Sequence, residues 1–446
     1  MLFKSFFEML DHWAEQNPDS PALLCSGSAY TFHELKNAVE ERARILKDGR
    51  KTCLAVLTEP TASCVIEIFA ANAAGLQTVL LDPSLDDDLL IRLLQHTGAD
   101  VLYGDPELAE TLMPYLEKGV AEGRDRILFF TSGTTHSSKA VVLTGKSLCA
   151  SAWNGSEMLP LTKDDTLLCI LPLNHVFGFV CGLLWGLSCG SCVALGSGLR
   201  GLLTDLQSYR PTAVSVVPAL LHFLLENKLI NPELRTLLIG AGDCPKQLIT
   251  AAKGLGIRVS FGYGLTETSS GVAISTGGDP YALDICPDDR VTIAKDGEIL
   301  IKAPTCMMQG YYRDPESTSA VLKDGVLHTG DLGYLDNDGR LHVTGRKKEM
   351  LVLQDGTKLF LPEYEGRLVP LVGHSDFAVA LRNGRPVLFI HTDEAEEAVL
   401  KRLRPVMDTL PRNQQLSGAV ILKEPLPRTA TGKIRRWALD VENAEQ

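Results

Sequence analysis

Between residues 166 and 262 short apolar runs alternate with longer amphipathic ones, and few folds accommodate that order. TLLCILP (166–172), SCVALG (191–196), TAVSVVP (212–218), LRTLLIG (234–240) and RVSFG (258–262) read as buried strands by length and composition. Helical patterns fall between them, around 176–188, 199–209, 219–227 and 245–254. Strand and helix in alternation dictate parallel sheets with helices on their faces. An earlier unit, roughly 20–105, has the same texture, with CLAVLT and QTVLLD as strands around the helix-like SCVIEIFAANAAG.

After about residue 290 the texture changes to strand pairs joined by turns. EILIKAP is one strand, and NDG at 337–339 joins GYLD to RLHVTGR as a hairpin. The last hundred residues read as a small α+β unit. In it MLVLQ-DG-TKLFLP is a hairpin, VLFIHT and GAVILK are strands, and EEAVLKRLRPVM is a helix. The expected fold is therefore α/β. Residues 1–345 form a large N-terminal domain of parallel α/β sheets plus a β-rich subdomain, and 346–446 a small mobile α+β C-terminal domain. No low-complexity linker marks the joint near Gly345–Arg346, so it is a short hinge between packed units.

A length of 446 residues favours two or three units, and the 45% hydrophobic content supplies their cores. A net charge of −12 excludes nucleic acid as a partner, since phosphate backbones need a basic surface. A local pocket can still oppose the global sign and take a small anion. The eleven cysteines are scattered through apolar runs as reduced core thiols, and CGSC (189–192) has no second pair at metal-site spacing. The N-terminus is an amphipathic helix with Phe3, Phe6, Phe7, Leu10 and Trp13 on one face, not a signal peptide. Residues 166–199 carry no charge, but Pro172, Asn174, His175 and recurring glycines break the run. The expectation is a cytoplasmic protein with no integral membrane segment.

The stretch LFFTSGTTHSSKAVVLT (128–144) places hydroxyls, a glycine and a lysine between two strand-like runs. Backbone N–H groups, hydroxyls and a terminal cation together make a phosphate cradle. It is not the Walker pattern, because the second glycine is absent. Further along, FGYGLTETSS (261–270) offers Tyr263, Thr266 and Glu267 at a strand end, and such a carboxylate suits Mg²⁺ beside a phosphate. HTGDLGYLD (328–336) sets Asp331 in a tight turn, where its carboxylate can accept from both ribose hydroxyls. GRKKEMLVLQDG (345–356) puts Arg346 and Lys348 at the hinge, and PRTATGKIRR (427–436) places Lys433 in a Gly/Thr-rich segment. Taken singly, each also reads as a helix cap, a turn former, a solvated surface charge or a basic tail.

In this order the motifs resemble the adenylate-forming superfamily of acyl-CoA synthetases, amino-acid adenylation domains and beetle luciferases, over almost the whole chain. The resemblance implies that Thr131, Ser132, Gly133, Thr134, Thr135 and Lys139 bind the β- and γ-phosphates of ATP. Gly264 belongs to the nucleotide-binding Y-G-x-T-E motif, in which Tyr263 would lie against adenine, Thr266 on the α-phosphate and Glu267 on Mg²⁺. Asp331 and Arg346 would bind ribose, Ala241 and Gly242 of GAGDCP would line the adenine pocket, and His175 of PLNHVFG would border the acyl pocket. Lys433 would be the catalytic lysine and Lys348 the hinge residue. The usual loop reads TSGTTGxPKG, and here His136, Ser138 and Ala140 depart from it.

The implied reaction is attack of a carboxylate on the α-phosphorus of ATP, then transfer of the acyl group to a pantetheine thiol. Mg²⁺ and Lys433 would neutralise the charge that builds on the phosphate oxygens. No acidic residue lies between His175 and Asp205 to hold a substrate ammonium, while Phe177, Phe179, Leu183, Leu184 and Trp185 dominate that segment. A fatty or other apolar acid is the expected substrate, and GRKKEMLVLQDGTKLFLPEYE resembles the fatty-acyl branch. Coenzyme A is the expected acceptor. The alternatives are an acyl carrier protein's phosphopantetheine arm, an aromatic acid–CoA ligase, and, from another class, a catalytically silent nucleotide-binding relative.

Overall fold

The computed structural model describes residues 2–49, 51–116, 124–131, 139–242, 244–355, 357–373, 376–428, 434 and 436–439. Among them, nine strands form the largest sheet. Its order is Asp284–Ile285, Ser270–Ile274, Arg258–Leu265, Thr236–Ile239, Ala213–Val216, Thr166–Cys169, Cys192–Leu195, Pro21–Cys25 and Ser28–Thr31. From Arg258–Leu265 to Pro21–Cys25 every pairing is parallel, as the alternation of strand and helix requires. The two edges turn antiparallel.

A second sheet holds six strands among the described residues: Gly310–Tyr311, Ala140–Leu143, Ile127–Phe130, Gln77–Leu81, Cys53–Leu57 and Val101–Tyr103. The expected unit over 20–105 is therefore divided, because Pro21–Cys25 pairs with Cys192–Leu195 rather than with Cys53–Leu57. The long helix Phe32–Asp48 carries the chain across from one sheet to the other. It starts in a capping box, Thr31 accepting from the Glu34 N–H and Glu34 from the Thr31 N–H. Its Arg42 makes a two-pronged pair with the buried Glu67 on the next helix, Ala62–Ala74, at 2.6 and 2.7 Å. The largest hydrophobic cluster fills the space between the two sheets, with Phe6, Phe69, Phe129 and Phe179 in ring contact.

The charge-free run resolves as strand, helix and strand. Within it Val180–Leu184 is a π-turn between helical segments Val176–Phe179 and Trp185–Ser188, and the Ser215 hydroxyl donates to the Cys181 carbonyl at 2.7 Å. Among the described residues no helix is long and apolar enough to cross a membrane. The cysteines are free thiols, and burial pushes Cys53, Cys64, Cys169 and Cys192 up to about 12.

Downstream, Val326–Leu335 and Leu341–Arg346 form the expected hairpin, paired from Asp331↔Arg346 to Leu335↔Leu341. Asp331 therefore sits inside a strand, not in a tight turn. The chain kinks at Gly330 (φ +70°) and the register shifts at Leu332–Gly333, which the turn-rich sequence does not distinguish from a turn. Beyond Arg346 a three-residue 3₁₀ turn, Lys347–Glu349, leads into the hairpin Met350–Val352 and Lys358–Phe360. The last sheet adds a strand the sequence reading did not separate, Asp376–Arg382, antiparallel to Arg385–His391. That strand pairs in parallel with Ala419–Leu422. The buried clusters of this region draw on residues from Leu351 onward.

Candidate active site

Several chemically distinctive residues leave the nine-stranded sheet at the carboxyl ends of its parallel strands, where α/β sheets place their ligands. Ala241 and Gly242 follow Thr236–Ile239, Tyr263 and Gly264 lie where Arg258–Leu265 leaves its parallel partner, and His175 follows Thr166–Cys169. Ala241 adopts a left-handed φ of +61°, and it and Gly242 are exposed. A Cβ at Gly240 would stand 2.8 Å from the Phe177 ring, so the helix that begins after His175 packs directly under this turn. His175 itself is exposed, yet the surrounding protein desolvates its imidazole enough to hold it below its ordinary pKa, against the opposing charge of Asp82. Asn174 beside it is buried and accepts from Thr58 at 3.3 Å, which ties the segment to the second sheet.

Tyr263, Asp331 and Arg346 come together as one polar set. The Tyr263 hydroxyl donates to Asp331 Oδ2 at 2.8 Å, and Arg346 Nε pairs with Asp331 Oδ1 at 2.9 Å. Asp331 is 2% exposed, while the Arg346 side chain is 56% exposed, so the cation is the solvent-facing partner of the pair. Burial and the Asp331 charge push the Tyr263 phenol upward, which keeps it protonated and a donor.

Gly264 is required sterically. A Cβ there would lie 1.6 Å from the Ser270 carbonyl oxygen, because Arg258–Leu265 bulges against Ser270–Ile274 at this point. The following 3₁₀ turn, Thr266–Thr268, is closed by the Thr268 hydroxyl accepting from the Leu265 N–H at 3.1 Å and donating to the Leu265 and Ser270 carbonyls. Ser269 and Ser270 then take positive φ values of 53° and 104°. Thr266 and Glu267 open this bent segment.

Glu267 has a partner the sequence reading missed. The Tyr311 hydroxyl donates to Glu267 Oε1 at 2.7 Å, and the Lys139 ammonium lies 4.6 Å from the centroid of the same Tyr311 ring. Tyr311 reaches that place because Gly310–Tyr311 pairs with Ala140–Leu143, the strand that Lys139 opens. A tyrosine in GYYRDP carries no local mark of this, and only the strand pairing could have revealed it. Thr131 and Lys139 close the hydroxyl-rich loop at its base, with the Thr131 N–H donating to the Lys139 carbonyl at 3.0 Å. Ser132, Gly133, Thr134, Thr135 and His136, like Lys433, lie outside the described residues, as does the Lys348 side chain.

At the joint, a Cβ on Gly345 would meet the Phe360 ring at 2.0 Å, so this glycine (φ +150°) permits the following hairpin to close on the strand. Lys347 binds Asp296 and Glu298, each at 2.7 Å, and Glu298 also accepts from the Gly330 N–H at 2.9 Å.

Behind the Thr266–Ser270 bend lies a small cavity of about 20 Å³, room for roughly one water. Val180, Cys181 and Trp185 form one wall, Gly155 a second, and Gly271 and Ile274 a third. A Cβ on Gly271 would touch nothing within 4 Å, and Cys181 Sγ meets Ser270 Oγ at 3.4 Å at the edge facing the bend.

A family model described as AMP-binding enzyme matches residues 10–127 and 122–312. The 2-succinylbenzoate–CoA ligase of Listeria monocytogenes serovar 1/2a is 29% identical, over 94% of this chain and 96% of its own. The 4-coumarate–CoA ligase 2 of Narcissus pseudonarcissus is 30% identical over 69% of this chain and 60% of its own. Among solved structures, the O-succinylbenzoate coenzyme A synthetase from Bacillus subtilis in complex with AMP superposes with a TM-score of 0.82 at 25% identity, covering 97% of each chain.

Proposed function

This chain belongs to the AMP-binding enzyme family, and from that premise we propose that it joins a compact apolar carboxylic acid to the thiol of coenzyme A through an acyl adenylate. It is an acid–thiol ligase that uses ATP, Mg²⁺ and coenzyme A. The observation that carries the reading is the placement of two polar sets on one short stretch of chain, from Tyr263 at the strand end to Glu267 in the following turn. Tyr263 donates to Asp331, which pairs with Arg346, and Glu267 accepts from Tyr311, whose ring carries Lys139.

In this reading the adenine lies on Ala241, Gly242 and the Tyr263 ring. The ribose hydroxyls donate to Asp331 once the exposed Arg346 turns outward. Thr266 meets the α-phosphate, and Lys139 with the loop from Thr131 to Thr135 meets the departing pyrophosphate. Glu267 offers carboxylate oxygens, which suit Mg²⁺, and among the described residues no cluster of three His, Cys, Asp or Glu encloses a site. The remaining ligands would then come from phosphate oxygens, and the ion would neutralise their charge. Lys433 would be delivered to the α-phosphate by the C-terminal unit, residues 346–446. Rotation of that unit about Lys348 would then exchange adenylation for thioester formation.

We propose a compact, preferably aromatic acid as the substrate. The names of the relatives, succinylbenzoate and coumarate ligases, favour the same class. The fatty-acyl alternative rests on the apolar segment after His175, which suits either class of apolar acid, and on the stretch after Gly345.

The test is carboxylate-dependent ATP–pyrophosphate exchange without thiol, over aromatic, short-chain, long-chain and amino acids. Exchange should be strongest with aromatic acids. Adding coenzyme A or a phosphopantetheinylated carrier protein then identifies the acceptor. Failure of every acid, in protein that binds ATP, would favour a silent nucleotide-binding relative.

A further inference from the structure

Tyr311 belongs to none of the motifs that define the nucleotide site, yet it touches two of them. It is 9% exposed, its hydroxyl is 2.7 Å from Glu267 Oε1, and its ring carries the Lys139 ammonium at 4.6 Å. Its backbone is fixed on both sides: its N–H donates to Thr318 Oγ1 at 2.9 Å, and its neighbours Gln309 and Tyr312 donate to the carbonyls of Val142 and Ala140 at 2.9 and 2.8 Å. The same segment grips the backbone of Glu267, whose carbonyl accepts from the Met308 N–H at 2.8 Å. Gly310 enters this segment at φ +144°, with Thr318 filling the space a side chain would take. Residues 308–312 thus staple the strand leaving the hydroxyl-rich loop to the bend that carries Glu267.

We infer that Tyr311 is a positioning residue for the cation site, orienting the Glu267 carboxylate and the Lys139 ammonium relative to each other. This rests on the assignment of Glu267 and Lys139 to the Mg²⁺–ATP site. The Tyr311 hydroxyl donates to Oε1 at 2.7 Å and restricts rotation of the carboxylate, which would leave Oε2 for the ion. The cation held over the ring face keeps Lys139 close to Glu267 without a direct ion pair, which would neutralise both before ATP arrives. Bond and ring act on different partners, and substitutions can separate them.

Tyr311→Phe removes the hydrogen bond and keeps the ring. The probe is a non-hydrolysable ATP analogue, titrated calorimetrically into the full chain across a range of Mg²⁺ concentrations and in its absence. Loss of an orienting partner typically lowers metal affinity about 10–100-fold. The Mg²⁺ midpoint should rise by that order in Tyr311→Phe, with Mg²⁺-free nucleotide affinity and the melting temperature little changed. In a Glu267→Gln background the same substitution should add almost nothing. Tyr311→Leu should weaken Mg²⁺-free binding as well, since Lys139 loses its platform.

An unchanged Mg²⁺ midpoint in Tyr311→Phe, or equal losses with and without Mg²⁺, would overturn the positioning role. If Tyr311→Phe melts early, full additivity with Glu267→Gln in the catalysed exchange would overturn it instead. Absence of nucleotide binding in the unsubstituted chain would strike the underlying functional reading.

Discussion

Asp289 is a carboxylate with almost nothing to hold its charge. It is 6% exposed, its nearest amide is Asn154 Nδ2 at 3.4 Å from Oδ2, and Oδ1 has no hydrogen-bond partner among the described residues. Burial, with a smaller contribution from the neighbouring Asp288, pushes its pKa from 3.8 to about 7. The sign follows from proton counting. Between 3.8 and about 7 the folded chain keeps a proton that the unfolded chain has released, so stability falls as pH rises through this window and stays low above it. At about 1.4 kcal/mol per unit, the native chain should lose about 3 kcal/mol between pH 5 and pH 8. Asp289→Asn keeps the shape, removes the titration and lets an amide face the unpaired Asn154 Oδ1. Urea denaturation followed by tryptophan emission at pH 5, 6, 7 and 8 tests this. The variant's advantage should widen by about 3 kcal/mol across the series. Parallel curves for the two proteins would mean that Asp289 ionises normally and that water reaches it. The residue matters to the site because Asn154 also contacts Cys306, whose carbonyl accepts from Ser269 at 2.7 Å on the bend behind Glu267.

Gly264→Ala forces a methyl against the Ser270 carbonyl oxygen, and we expect a cost of about 1–3 kcal/mol together with lost ATP affinity. Thermal denaturation and nucleotide titration read the two effects. Lys433→Ala should abolish adenylation while leaving thioester formation from supplied acyl adenylate, and equal loss of both steps would remove the assigned role. Lys348→Pro should spare ATP–pyrophosphate exchange and block thioester formation, because a fixed φ at the joint prevents rotation.

The alternation of apolar and amphipathic runs determined the parallel core by itself. Each strand of Thr166–Cys169, Cys192–Leu195, Ala213–Val216, Thr236–Ile239 and Arg258–Leu265 falls on a run legible in the sequence, and the hairpins at 337–339 and 350–360 follow from turn residues between short strands. Local sequence carries such features because strand length, side-chain period and turn chemistry are local properties. Partnership is not local. The sequence could not show that Pro21–Cys25 leaves its neighbours for the other sheet, or that Asp331 is buried in a strand beneath Arg346. The motif residues Tyr263, Glu267, Asp331 and Arg346 were legible as types, whereas their pairing, and the entry of Tyr311 between Glu267 and Lys139, depended on which strand edges met. Pairing between strands distant in the chain is chosen by the packing of the whole core, so only the tertiary structure decided which side chains share a hydrogen bond.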